Sequence, residues 1–178
     1  MSFESSRIVR LGLISLLLER ERGVAGRKRI QKVMYFLDSL GWKAVPDYKF
    51  HHYGTYSESL ASEIQGMVNN GWIRETMSGD LYSYNIAADR RQTANALVGK
   101  IRAMDENLFE KSVKLIGELG QYSTDMLEVT STLVYLRKAR PELDNDRLIG
   151  LARELKRQFS EEQFKKGLKI FATLKQFE

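Results

Sequence analysis

Apolar positions recur at helical spacing along most of the chain. Ile8, Leu11, Ile14, Leu17 and Leu18 share one face, and Val9, Leu13 and Leu16 widen it until the segment is apolar on most sides. That pattern predicts a first helix buried nearly all round. Gly23 and Gly26 break it. A second helix is predicted from about Arg27 to Leu40, with Ile30, Val33, Met34, Leu37 and Leu40 as its core stripe and Gly41 as its terminator. Lys28, Lys32 and Tyr35 project together from the opposite face, and Arg29 flanks the stripe.

Pro46 interrupts, and Tyr48-Lys49-Phe50-His51-His52-Tyr53 reads as an extended segment leading into Gly54. Alternation sends Tyr48, Phe50 and His52 to one side and Lys49, His51 and Tyr53 to the other, one set packing into the core beneath the second and third helices. The third helix spans about Ser57 to Asn70 on a Leu60, Ile64, Met67, Val68 stripe, and Thr55 with Glu58 competes with Ser57 to cap it. Residues 72–76 and 81–86 flank Met77-Ser78-Gly79-Asp80, a hairpin signal. Everything after Ile86 is helical. One long or once-broken helix runs from Ala94 through Leu119, and another from Ser123 or Thr124 to Arg140. A third carries Leu148, Leu151, Ala152, Leu155 and Phe159, and a last one opens on a Ser160/Gln163 capping box. The fold class is mainly α with a small β hairpin or sheet. A shift in composition near Ala87 divides the chain into a mixed module, 1–86, and a helical module, 87–178, that packs on the first or on a second copy.

With 178 residues and 43% hydrophobic composition, the chain is long and apolar enough to bury a core without staples. It has no Cys, which excludes disulfides, thiolate metal sites and cysteine nucleophiles. The apolar run 11–18 is too short to span a bilayer. Arg7 and Arg10 before it, with Val24-Ala25-Gly26 after it, imitate a signal peptide, but Glu19-Arg20-Glu21-Arg22 stands where a signal carries no charge. A cytoplasmic protein without membrane attachment is expected.

Net charge is +5, and residues 20–32 alone hold Arg20, Arg22, Arg27, Lys28, Arg29 and Lys32 against Glu21. Such a cluster, open to water, is the footprint of nucleic-acid or acidic-partner binding. Helix, basic turn, helix, extended segment, helix and hairpin is moreover the order of a winged helix, whose third helix enters the major groove. The third helix here carries Glu58 and Glu63 and no cation, although Ser59, Ser62, Gln65 and Asn69 have the hydrogen-bonding capacity to read base edges. The candidate nucleic-acid-binding residues are therefore Arg22, Arg27, Lys28, Arg29, Lys32, Ser59, Ser62, Gln65 and Asn69. Nucleotide-loop, zincin and nucleophile-elbow motifs are absent, and His51 and His52, adjacent on an extended segment, point apart. Asp144-Asn145-Asp146 lacks the glycine and closing glutamate of a calcium loop and reads as a helix cap. No catalytic residue, metal or cofactor is expected.

Arg27-Lys28-Arg29-Ile30-Gln31-Lys32-Val33-Met34-Tyr35-Phe36 resembles the G-R-K-K-L-Q-K-x-x-Y run of the uncharacterised YwgA-like proteins of bacteria and archaea. Phe50-His51-His52-Tyr53-Gly54-Thr55-Tyr56-Ser57-Glu58-Ser59-Leu60 resembles their F-H-F-Y-G-P-Y-S-E-E-L, with Thr55 in place of Pro. The stretch from Leu127-Glu128-Val129 to Tyr135-Leu136 resembles their C-terminal helical region, and a looser likeness links the chain to the Panacea antitoxin domain. The resemblance implies a winged-helix fold and no established activity. The expected function is a non-enzymatic nucleic-acid-binding regulator, transcriptional or antitoxin-like, on double-stranded DNA or an acidic protein. The alternative is a protein-interaction adaptor that keeps the fold without nucleic-acid contact. Homodimerisation is left open.

Overall fold

The computed structural model describes residues 3–45, 47–51, 54–79 and 81–177. The sequence readings that involve Pro46, His52, Tyr53 and Asp80 lie outside the described residues. The chain is mainly α with a small β component. No helix among the described residues is long and apolar enough to cross a membrane.

Helix α1 (Phe3–Arg20) ends in a turn that leads into β1 (Val24–Ala25), a strand too short for the periodicity to signal. Helix α2 (Arg27–Leu37) continues into one wide turn, Asp38–Trp42. There the Asp38 carboxylate accepts from the Ala44 and Val45 N–H groups (2.7 and 2.8 Å) and turns the chain. Strands β2 (Lys49–His51) and β3 (Gly54–Tyr56) pair antiparallel, with Phe50 opposite Thr55. Helix α3 (Glu58–Asn69) is capped by Ser57, whose hydroxyl accepts from Leu60 N at 3.0 Å, so Ser57 and not Thr55 takes the cap.

Strands β4 (Ile73–Ser78) and β5 (Leu81–Ile86) form the expected hairpin, in which Met77 opposes Tyr82 and Glu75 opposes Tyr84. The hairpin gains β1 on its far side, with Val24 opposite Tyr84, giving the order β1-β5-β4. The long helical stretch is broken once, into α4 (Arg91–Met104) and α5 (Glu106–Leu119). Asp105 between them is extended, and its carboxylate accepts from Leu108 N at 2.8 Å. Helices α6 (Thr124–Ala139), α7 (Asn145–Leu155) and α8 (Glu161–Leu174) follow, with Asp144 capping α7 and the Ser160/Gln163 box opening α8.

Helix α1 packs along α4, and α2 packs against α6, so the principal core draws Leu13, Leu17, Ile30, Leu37, Leu60, Ile101, Leu115 and Leu127 from both halves of the chain. The apolar face of α4 and α5 is therefore used on α1 and α2 within the same chain. A second cluster, around Leu133, Leu148, Ile149 and Phe164, joins α6 to α7 and α8.

Candidate functional site

The α2 face opposite the core stripe is mostly turned away from water: Lys32 and Tyr35 are buried and Lys28 is half-buried. Helix α6 and β3 cover it, so α2 is buried on both sides and its cations are answered from within the chain. Arg29 is 8% exposed. It grips Glu21 with two nitrogens (2.7 and 2.8 Å) and donates to the carbonyls of Tyr122 and Leu119 (2.8 and 3.1 Å) at the C-terminus of α5. Arg27 bridges Glu75 at 3.0 Å and donates to the Tyr84 hydroxyl at 2.8 Å and Gln65 Oε1 at 2.7 Å. Lys28 contacts Asp125 at 3.0 Å and Glu128. Lys32 is wholly buried, and its Nζ donates to the Thr55 carbonyl at 2.6 Å. Arg7 and Arg10 both meet Glu63, at 3.2 and 2.6 Å. Within the expected cluster only Arg20 and Arg22 are exposed. The open cationic patch on α2 is thus replaced by a set of internal ion pairs. Apart from Glu21, which the basic segment itself holds, the acids lie far away in sequence, which is why a local charge count does not see them.

Glu128 is the centre of that set. Its side chain is buried between Lys28 and Lys156, and Lys156 Nζ lies 2.8 Å from Oε1 and 5.6 Å from the centroid of the Phe50 ring. Burial by itself would raise the Glu128 carboxyl, but hydrogen bonds from Lys156 and Lys28 outweigh it and hold the group below the usual carboxylate range. Burial pushes the Lys32 amine down to about 7; attraction to Glu128 opposes this, and repulsion from Lys156 and Lys28 adds to it. Gly54 closes the arrangement from β3. Its φ of 78° is left-handed, and a Cβ there would stand 3.3 Å from Glu128 Cγ and 3.4 Å from Lys32 Nζ.

The same region joins the two segments that carry the family resemblance. Gln31 donates to the Ser57 carbonyl (2.8 Å) and accepts from Ser57 N (3.0 Å), while the next residue, Lys32, reaches Thr55. Their shared pattern is accounted for by this lock between α2 and the β3–α3 junction. Tyr48 packs edge-on to Tyr35 (5.1 Å) and Phe50 lies on Tyr135 of α6 (5.6 Å), so these rings are packing groups, and Phe50 reaches the C-terminal half. His51 is exposed and lies 5.3 Å from the Tyr56 ring.

The outer side of α3 is polar and nearly without free charge. Ser59 donates to Asp47 at 2.7 Å, Ser62 is exposed, and Gln65 donates to Asn69 at 2.8 Å while accepting from Arg27. Across from it stands the hairpin, on which Glu75 takes Arg27 and the Tyr84 hydroxyl. Further out, Met77 and Tyr82 face each other across the strands, 66% and 44% exposed. A cleft of about 390 Å³ lies at their base, lined by Gly26, Arg27, Glu75, Tyr82 and Tyr84. Arg27, Gln65 and Asn69 are therefore brought together, and Lys28, Arg29 and Lys32 are directed elsewhere.

Apart from Glu21, the acids that neutralise the cluster escape a reading of the basic segment by itself. One signal was available: Glu128 is a lone carboxylate in Met126-Leu127-Glu128-Val129-Thr130-Ser131-Thr132-Leu133-Val134, an otherwise uncharged stretch. A carboxylate there must be buried and paired.

No protein-family model matches the chain. It is similar to the uncharacterized protein YwgA of Bacillus subtilis (strain 168), with 24% identity over 155 residues that cover 86% of this chain and 89% of that protein. The similarity supports a YwgA-like family of unknown function.

Proposed function

We propose that the chain is a non-enzymatic protein-interaction adaptor on a winged-helix-like N-terminal part, and that it engages its partner through the cleft between the start of α2 and the hairpin. The order helix, strand, helix, short strand pair, helix, hairpin, with β1 completing the sheet, supports the winged-helix reading. One observation carries the choice of partner class: the cations of α2 are paired inside the molecule. Nucleic-acid affinity rests on cations that release counterions from phosphates, and a guanidinium held by Glu75 or Glu21 has no charge to spare. Met77 and Tyr82, by contrast, present a half-apolar, half-polar surface of the kind that anchors a protein segment, with Arg27, Gln65 and Asn69 as its polar rim.

The test has two arms. In a salt-titrated gel shift, mixed-sequence duplex is not retained even at low salt, and the Arg27→Glu, Lys28→Glu pair leaves that result unchanged. In cells, a photo-crosslinking residue at position 77 gives one discrete protein adduct, which Tyr82→Ala abolishes. A duplex complex that weakens steeply with salt and is lost in the charge-reversed pair overturns the proposal. So does the lack of any discrete adduct.

A further inference from the structure

Among the described residues, three of the arginines that no acid engages lie around the other side of the hairpin. Arg22, Arg74 and Arg91 are exposed and take no ion pair or side-chain hydrogen bond among the described residues. Two of them line a cleft of about 370 Å³, where the end of α1, the end of β5 and the start of α4 converge. Arg22 enters it from a left-handed turn (φ 52°), with Gly23 N donating to Leu18 O at 3.1 Å and Arg22 N to Glu19 O at 3.3 Å. That pair of bonds is a Schellman helix end, whose left-handed position is normally glycine. Here it delivers a guanidinium. Arg91 enters from the first residue of α4, and Asn85 and Asn95 line the same cleft. Arg74 is the register partner of Asn85 and adjoins the rim from β4.

We propose that this cleft binds a nucleoside monophosphate, a reading independent of the adaptor function. Two guanidinium groups and two carboxamides are the donor set of a phosphate monoester, which takes several charge-assisted hydrogen bonds at once. The remaining lining selects more than a bare anion. Leu18 and Ile86 provide an apolar wall for a flat ring, and Glu19, the one acid present, accepts from a hydroxyl or an amino group and repels free phosphate. The cleft has the volume of a small-ligand site. An anion that also carries hydrogen-bond donors and an apolar face meets all three requirements.

The experiment titrates the full chain at low salt with AMP, with inorganic phosphate and with a short mixed-sequence duplex, following binding by calorimetry. AMP binds more tightly than phosphate. Arg22→Gly and Arg91→Gln each weaken AMP by about tenfold, the worth of one charge-assisted hydrogen bond. Arg22→Gly also relieves the left-handed backbone, so its melting temperature rises while its affinity falls, a combination that misfolding does not produce. Glu19→Gln weakens AMP and strengthens phosphate. The proposal is overturned if AMP binds no better than phosphate, or if Arg22→Gly leaves AMP binding unchanged. Tighter binding of the duplex than of AMP, with dependence on Arg74, would also overturn it by making the cleft a contact for a nucleic-acid backbone.

Discussion

At the scale of single residues, the deciding feature is that charge is spent internally. Lys32 has no exposed surface, and its amine is pushed down to about 7 from an ordinary value of 10.5, principally by burial. Between those two values the unfolded chain holds a proton that the folded chain has released, so raising the pH from 7 toward 10 stabilises the fold. Urea unfolding at pH 7, 8 and 9 should show the stability of the natural protein growing relative to Lys32→Met by up to about 1.4 kcal/mol per pH unit. A difference that stays flat across this range would mean that Lys32 keeps its proton in the folded state. The residue type was legible in the sequence, and so was its place on α2 beside Lys28. Its burial was not, because the sequence around Lys32 does not show that β3 and α6 close over it.

At the scale of elements, capping chemistry is local and was largely legible. Ser123, Asp144 and Ser160 begin the helices where their spacing predicts. Two features escaped: β1, whose two residues carry no periodicity, and the site of the break at Asp105, where an uninterrupted apolar stripe conceals a change of helix. Glycines inside helices divide by their surroundings. A Cβ on Gly99 of α4 meets nothing within 4 Å, whereas one on Gly167 of α8 would lie 2.8 Å from Val129 Cγ1 and 3.1 Å from Leu133 Cδ1 of α6. Gly99→Ala should therefore stabilise the protein by about 0.5–1 kcal/mol through helix propensity. Gly167→Ala should destabilise it by about 1–3 kcal/mol through overpacking, despite the same propensity gain. Thermal or urea melts of the two variants check the sign, and equal shifts would remove the close α6–α8 contact from the account.

At the scale of the whole molecule, Glu128 links the beginning of α2 to the end of α7 through Lys28 and Lys156. Either lysine by itself leaves the buried carboxylate one ion pair; losing both removes both direct pairs at once. A double-mutant cycle of Lys28→Met and Lys156→Met should give a coupling energy of about 1–3 kcal/mol, the double variant falling below the sum of the singles. Additive effects in urea unfolding would mean that the two lysines do not share Glu128.

Most helix starts and caps, the hairpin and the mainly α class follow from neighbours a few residues apart, and the sequence by itself determined them, since propensity and capping act within one or two turns. The fate of each charge was decided only by tertiary structure. Whether Lys28, Arg29 and Lys32 face water or Glu128, Glu21 and Thr55 depends on which distant helix covers α2, and Coulomb attraction and desolvation depend on distance in space rather than along the chain. The same closure that hides those cations leaves Arg22, Arg74 and Arg91 uncovered.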